Sequence, residues 1–302
     1  MESDKILGFF RRMSVALFMK PVLALGKRMA FLRNNFIWRS CKPYYHYFFD
    51  LRTFELFRDD AASFYSENAE RVNAVVNMLA DEKSRRIYMG MIKFRSTHNK
   101  KDFPVHPFTE EQYFIKELRL GKNEVFIDGG ASIGDTIIPF TRRCKEYKQI
   151  IAFEPDPASF EKLKQKYGNN PRITLMNAGL YDKDGEILFD GGKGQASKIA
   201  DQGDFTDSIQ IKTIDGLGLE RVSFIKMDIE GAELNALKGA QKTILRDKPK
   251  MAICIYHSDE DMINVAEYIH DLVPEYKLYV RQYGFAAETV LYAILPLDGG
   301  KV

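Results

Sequence analysis

From about residue 118 onward, short apolar runs alternate with segments of a different period. The runs are rich in β-branched and aromatic residues, whereas the segments between them repeat their apolar residues at three and four positions, as at Phe160, Leu163 and Tyr167. This alternation predicts an α/β fold in which a mostly parallel sheet is covered by helices on both faces. The predicted strands span residues 124–128, 149–154, 173–178, 222–228 and 250–256.

Two regions depart from this simple alternation. Between the third and fourth predicted strands, GEILFD and SIQIKTID have the pattern of extra strands on either side of the glycine-rich loop GGKGQASKIADQG. At the end of the chain, EYKLYVRQYGFAAETVLYAIL contains two β-rich runs joined by a short turn with a glycine. The closing segment therefore predicts a β-hairpin.

The chain divides into three parts that differ in composition and in hydrophobic pattern. Residues 1–58 are basic and rich in aromatic residues and predict a helical arm, and residues 59–117 predict a helical extension with a linker. Within the extension, apolar residues from Glu67 to about Arg95 recur at helical spacing, and Asp81 is a predicted helix start. Residues 118–302 form the predicted α/β domain.

Charge is balanced overall but not along the chain. The 302 residues carry 44 basic and 42 acidic side chains, whereas residues 1–40 hold eight lysines and arginines against two carboxylates. Such an arm suits peripheral contact with an anionic membrane, at the inner face of the cell membrane. Packing on its own body or on a second subunit stays open beside it. Its longest uncharged runs fall well short of the roughly 20 residues of a membrane span, so no transmembrane helix is expected.

Cysteine usage bears on the compartment. Cys41, Cys144 and Cys254 are far apart and have no CxxC spacing, so neither a disulfide framework nor a structural zinc site is expected. A reducing cytoplasm is the predicted location.

The stretch VFIDGGASIGDT joins a strand that ends in a carboxylate to a glycine-rich turn. Gly130 and Gly134 leave the backbone bare for a ligand, but the glycines at 129, 130 and 134 do not meet the G-x-G-x-x-G spacing of dinucleotide folds. A carboxylate at Asp128 would repel a pyrophosphate, whereas it would attract the sulfonium and amino groups of S-adenosylmethionine. The turn therefore favours S-adenosylmethionine over NAD.

A second acidic residue ends the next predicted strand. Glu154, in IIAFEPDP, lies 24 residues beyond Gly130, where a carboxylate can accept hydrogen bonds from both ribose hydroxyls. NAD and S-adenosylmethionine binders share this feature, so it gains weight only in combination with Asp128.

With these motifs the sequence resembles the FkbM-type class I S-adenosylmethionine-dependent methyltransferases. The resemblance rests on FIDGGASIGDT, AFEPDPASFEKLKQ, NAGLYDKDGEI, IKTIDGL, FIKMDIEGAELNALKGA and the closing hairpin, and it covers residues 110–295. It implies a Rossmann-like, seven-stranded, mostly parallel sheet whose C-terminal hairpin contributes one antiparallel strand. It also implies O-methylation of a small-molecule or glycan acceptor, most simply a sugar or glycan-precursor hydroxyl.

The resemblance also implies which residues bind the cofactor. At the methionine end these are Asp128, Gly130, Ser132, where members of the family usually carry Asn, and Gly134. At the ribose and adenine they are Glu154, Pro155, Asn177 and Ala178. Asn177 also fits an ordinary turn residue, and both interpretations stay open.

Methyl transfer to a hydroxyl requires that the acceptor lose a proton, so a base or a metal ion is useful. Asp228 and Glu230, in FIKMDIEGAE, follow the fourth predicted strand and are predicted to be catalytic, with Asp228 also beside the methyl group. His257 ends the fifth strand and is predicted to act as the base. Glu233 fits a first-turn acid that complements the helix dipole. The spacing supplies no third metal ligand, so no metal is expected.

Two other functions are weighed against methyl transfer. An NAD-dependent oxidoreductase is disfavoured by the glycine spacing and by Asp128. A non-catalytic, membrane-associated scaffold with a methyltransferase fold is disfavoured because Asp128, Gly130, Glu154 and Asp228 are all intact. A nucleic-acid substrate is not expected, because no basic cluster flanks the predicted cleft. The oligomeric state is not predictable from the sequence.

Overall fold

The structure is a computed structural model that describes residues 58–104, 111–189, 207–284 and 287–296. The basic arm and its predicted membrane contact lie outside the described residues, apart from residue 58, and so does the loop GGKGQASKIADQG. Within the described ranges, none of the helices combines the length and the apolar character that crossing a membrane would require.

Seven of the described strands form one sheet. In chain order the described strands are β1 (Val125–Gly129), β2 (Gln149–Phe153), β3 (Ile173–Met176), β4 (Gly179–Leu180), β5 (Gly185–Phe189), β6 (Asp207–Lys212), β7 (Phe224–Met227), β8 (Lys250–Cys254), β9 (Lys277–Gln282) and β10 (Thr289–Ile294). The main sheet has the order β3-β2-β1-β7-β8-β10-β9, and β10 runs antiparallel to both of its neighbours. The predicted mostly parallel sheet with one antiparallel strand and a closing hairpin is confirmed.

Three of the described helices begin at a capping side chain, and one of these is the predicted start at Asp81. They are α1 (Ala61–Glu67), α2 (Ala69–Met78), α3 (Glu82–Thr97), α4 (Ile137–Arg143), α5 (Pro157–Tyr167), α6 (Glu233–Lys238), α7 (Gln241–Asp247) and α8 (Asp259–Leu272). The side chains of Asp81, Asp156 and Ser258 each accept a hydrogen bond from a backbone amide three residues later, at the starts of α3, α5 and α8. Such caps satisfy amides that the first turn leaves without helical partners.

The extra strands predicted between residues 185 and 215 form a second, smaller sheet. In it, β6 pairs antiparallel with β5 and parallel with β4, giving the order β4-β6-β5. Ile209 and Ile211 of β6 are buried beneath it. Between β3 and β7, the described strands therefore belong to this second sheet and not to the main sheet.

Apolar residues of the main sheet alternate between its two faces, as residues of a strand must. Ile127, Ile225 and Ile253 belong to one hydrophobic cluster, while Phe126 and Phe224 belong to the other. The rings of Phe126 and Phe224 stack with centroids 4.7 Å apart. Both faces of the sheet are therefore covered, as the pattern predicted.

The helical extension packs against the β9 edge of the main sheet. The amide of Ala80 donates to the carbonyl of Leu278, and the amide of Val280 donates to the Ser84 hydroxyl. Tyr88 and Phe94 of α3 are buried in the same hydrophobic cluster as Leu278 and Val280. The extension and the sheet share one core, and the division at residue 117 stays a prediction.

Candidate active site

A cavity of about 350 Å³ opens at the carboxyl ends of β1, β2 and β7. Ligands of open α/β folds bind at this edge. Most of the predicted site residues line the cavity, namely Gly130, Ser132, Glu154, Pro155, Ala178, Asp228 and Glu230. Four others, Asp128, Gly134, Asn177 and His257, are not part of its wall but lie beside residues that are.

The turn after β1 admits only glycine at two positions, for different reasons. Gly130 has φ +71°, and a Cβ there would lie 1.9 Å from the carbonyl oxygen of Asp228. Gly134 has φ +82°, and a Cβ there would lie 2.3 Å from the ring of Tyr167 on α5. Gly130 thus lets the turn approach the end of β7 beside the cavity, whereas Gly134 lets the turn pack on a helix.

Glu154 joins two loops at the cavity wall. One carboxylate oxygen accepts from the amide of Ser132 at 2.7 Å, and the other accepts from the amide of Asp156 at 2.9 Å. Burial raises the pKa of Glu154, and these two amides partly offset the increase. The side-chain amide of Asn177 donates to the carbonyls of Glu154 and Pro155. Asn177 thus fixes the loop after β2 without lining the cavity itself.

Asp128 is fully buried and pairs with Lys226, whose Nζ lies 3.2 Å from its Oδ1. The contact is an ion pair without hydrogen-bond alignment. The same Nζ donates to the carbonyls of Gly129 and Gly130 at 3.0 and 2.8 Å. Burial raises the pKa of Asp128 to about 6, against the lowering effect of Lys226. Asp128 thus contacts the turn through Lys226 and does not line the cavity, and its predicted contact with the ligand stays a prediction.

Asp228 is held by two tyrosine hydroxyls. Tyr113 donates to Oδ2 at 2.7 Å and Tyr256 donates to Oδ1 at 2.9 Å. Burial alone would raise the pKa of Asp228, but the charges of Lys226 and His257 and the two hydroxyls hold it below its usual range. The carboxylate at the cavity wall is therefore ionised at neutral pH.

Sequence analysis missed both tyrosines. Tyr113 lies 115 residues before Asp228 in the chain, in a loop that no motif marks. Tyr256 precedes His257 at the end of the fifth predicted strand, so its position was a usable signal.

His257 lies among three carboxylates. Its Nδ1 is 3.1 Å from Glu233 Oε1, and its Nε2 is 3.5 Å from Asp228 Oδ1 and 3.6 Å from Glu230 Oε2. Burial alone would lower the pKa of His257, but Glu233, and then Asp228 and Glu230, raise it to about 9. Without a bound cation beside it, the imidazole is therefore protonated at neutral pH. The base role predicted for His257 stays a prediction. Glu233, expected only to complement the helix dipole, also accepts from the amide of Ile229.

The raised pKa of His257 predicts a specific pH dependence of stability. The stabilisation is fully present below the ordinary pKa of about 6.5 and is lost as pH rises through 9. Relative to His257→Gln, the wild-type free energy of unfolding should therefore fall by about 2–3 kcal/mol over that interval. Urea unfolding of both proteins at pH 6, 7.5 and 9.5, with a chelator present, measures the difference. Parallel pH profiles would contradict it.

The methyltransferase FkbM domain model matches residues 128–286, just over half of the chain. The chain belongs to the FkbM methyltransferase family. This membership confirms the resemblance, the class I α/β fold and S-adenosylmethionine as the cofactor. A solved methyltransferase FkbM from Methylobacillus flagellatus KT is 27% identical, with a TM-score of 0.66 over 78% of this chain and 61% of its own.

Two curated relatives are similar over shorter spans. The hexuronic acid methyltransferase AglP of Haloferax volcanii is 30% identical over 128 residues, which are 39% of this chain and 50% of AglP. The 2-O-methyltransferase NoeI of Sinorhizobium fredii is 24% identical over 51% of this chain and 72% of its own length. The chain thus spans about half the length of AglP and a larger share of NoeI.

The cavity fits S-adenosylmethionine. Gly130 presents bare backbone at the wall, and a side chain there would collide with the end of β7. Carboxylates of Asp135, Glu154, Asp156 and Asp228 also line the cavity, which suits a ligand that carries a sulfonium and an ammonium group.

Proposed function

We propose that the protein transfers the methyl group of S-adenosylmethionine to a hydroxyl of a sugar or glycan precursor. The observation that carries the proposal is the Asp228 carboxylate, which is ionised and fixed by Tyr113 and Tyr256 at the wall of the cofactor cavity. The names of AglP and NoeI support oxygen and a sugar as the acceptor atom and class.

The cofactor is assigned to the residues predicted for it, in two groups. Gly130, Ser132, Glu154, Pro155 and Ala178 line the cavity and are proposed to contact the cofactor, with Glu154 at the ribose. Asp128, Gly134 and Asn177 are proposed to position that group from behind, since their contacts are with Lys226, Tyr167 and the carbonyls after β2.

Methyl transfer to a hydroxyl does not require a strong base. When bound, S-adenosylmethionine supplies the methyl group, and its sulfur keeps the electron pair of the broken bond. Asp228 accepts a hydrogen bond from the acceptor hydroxyl and so orients the oxygen. As the new C–O bond forms, the hydroxyl becomes a far stronger acid, so a carboxylate with a lowered pKa is still able to take its proton. His257 and the two tyrosines hold Asp228 in place, and Glu230 faces the acceptor.

Cofactor binding is the first test. Calorimetric titration of the full chain should show binding of S-adenosylmethionine and S-adenosylhomocysteine but not of NAD. Glu154→Ala should weaken both by about 10- to 100-fold, because it removes charged hydrogen-bond acceptors from the wall. Glu161→Ala on the exposed face of α5 is the matched control and should bind normally. Binding of NAD alone would refute methyl transfer.

The acceptor is tested separately, by release of S-adenosylhomocysteine with neutral hexose, hexosamine and hexuronate glycosides. We propose a small-molecule or glycan acceptor as the partner. Peripheral membrane contact through residues 1–40 rests on the composition of that segment alone, and binding of the full chain to anionic vesicles tests it.

A further inference from the structure

Four ionisable side chains meet where β7 and β8 end. Asp228 and Glu230 follow β7, Glu233 opens α6, and His257 follows β8. One ligand atom each of Asp228, Glu233 and His257 lie within 4.8 Å of one another. These residues come from two neighbouring strand ends, so the topology of the sheet brings them together.

Within the described part of the chain, three buried polar atoms of this cluster, on His257 and Glu233, lack a well-formed hydrogen bond. Glu233 is fully buried and His257 is 7% exposed. Among the described residues, neither ring nitrogen of His257 nor Glu233 Oε2 has a hydrogen bond of good geometry. The distance of 3.5 Å from His257 Nε2 to Asp228 Oδ1 exceeds that of an ordinary hydrogen bond. It matches the spacing of about 3.3–3.6 Å between two ligands held 2.0–2.2 Å from one tetrahedral ion.

We propose that Asp228, Glu233 and His257 bind a divalent first-row transition-metal ion such as Mn²⁺ or Zn²⁺. A donor set of one imidazole and carboxylates favours such ions over Mg²⁺ or Ca²⁺, which prefer oxygen ligands alone. Lys226 of β7 does not fully neutralise the negative charge of this cluster. Its Nζ already donates to the carbonyls of Gly129 and Gly130 and pairs with Asp128.

The ion would lie at the edge of the cofactor cavity. Asp228 and Glu230 line that cavity, so a coordination position facing it is open to a ligand. There the ion would polarise an acceptor hydroxyl and favour loss of its proton. This part of the inference rests on the proposed methyl transfer, whereas the binding of the ion does not. The sequence predicted no metal because spacing supplied only two donors; the folded chain adds His257 and Glu233.

The test is metal binding by the full chain, freed of tags and treated with a chelator. Calorimetry with Zn²⁺, and electron paramagnetic resonance with Mn²⁺, should show one ion per chain, with much weaker binding of Mg²⁺. His257→Gln and Glu233→Gln should each lower affinity by at least 10- to 100-fold. Asp135→Asn removes a carboxylate from an exposed residue of the same cavity and should leave affinity unchanged.

Two results would overturn the proposal: no saturable binding of Mn²⁺ or Zn²⁺ to the wild type, or unchanged binding in both variants. Circular dichroism checks folding, and Asp228→Asn replaces either variant that fails to fold. Titration with S-adenosylmethionine is run in parallel. Metal binding without cofactor binding would support the metal site and refute methyl transfer. Cofactor binding without metal binding would refute the metal site and leave methyl transfer supported.

Discussion

Gly130→Ala is expected to abolish cofactor binding and to destabilise the protein strongly. The residue has φ +71°, a conformation that costs an L-residue about 1–2 kcal/mol. The added Cβ would also lie 1.9 Å from the carbonyl oxygen of Asp228, so one of the two backbones must move. Because Asp228 and the turn both line the cavity, either movement distorts it, and the total loss of unfolding free energy should exceed the conformational cost alone.

Gly218→Ala is the matched control for this experiment. Gly218 has φ +62°, yet a Cβ there meets nothing within 4 Å. It should show only the conformational cost, with normal binding of S-adenosylmethionine. Chemical denaturation of both variants and of the wild type, together with calorimetric titration, separates the two effects. Equal stability and equal affinity of the two variants would contradict this prediction, because they would show that the turn accommodates the added Cβ without further loss of stability or binding.

The fold was predictable because its signals are local. Strand and helix periods identified the main sheet and its hairpin, and Asp81 marked the start of α3 before any tertiary contact was known. The strand ends depend on tertiary contacts. The third strand, predicted to run to residue 178, ends at Met176 because the side chain of Asn177 binds carbonyls after β2 and because Gly179–Leu180 pairs with β6 instead.

The sequence predicted which residue types form the site and at which strand ends they lie. It did not predict which side chains they contact. Asp128 and Asp228 are equivalent in the pattern, since each is the last residue of a predicted strand at the carboxyl edge of the sheet. The structure buries Asp128 against Lys226 and places Asp228 at the cavity between two tyrosines. Likewise, an isolated His257 suggests a base, and only the three carboxylates around it reveal the raised pKa. These differences arise from contacts between residues far apart in the chain.

Arg95→Met is expected to destabilise the protein by about 3–5 kcal/mol, the usual cost of leaving one member of a buried ion pair alone. Arg95 Nε lies 2.6 Å from Asp259 Oδ1, and both side chains are fully buried. The guanidinium also donates to the carbonyl of Tyr256, at 3.2 Å from each terminal nitrogen. The same contacts join α3 of the extension to the loop between β8 and α8, which carries Tyr256 and His257. The variant should therefore also weaken methyl transfer, although Arg95 does not line the cavity.

Urea denaturation measures the first effect, and Arg246→Met is the matched control. Arg246 pairs with Asp247 at 2.7 Å but is half exposed, so its loss should cost no more than about 1 kcal/mol. In the double variant Arg95→Met, Asp259→Asn, part of the stability should return, because the unpaired buried charge is gone. The Tyr65 hydroxyl, which donates to Asp259 at 2.6 Å, retains an acceptor there. If Arg95→Met were no worse than Arg246→Met, the extension would not depend on this pair, and the coupling of α3 to the end of β8 would be refuted.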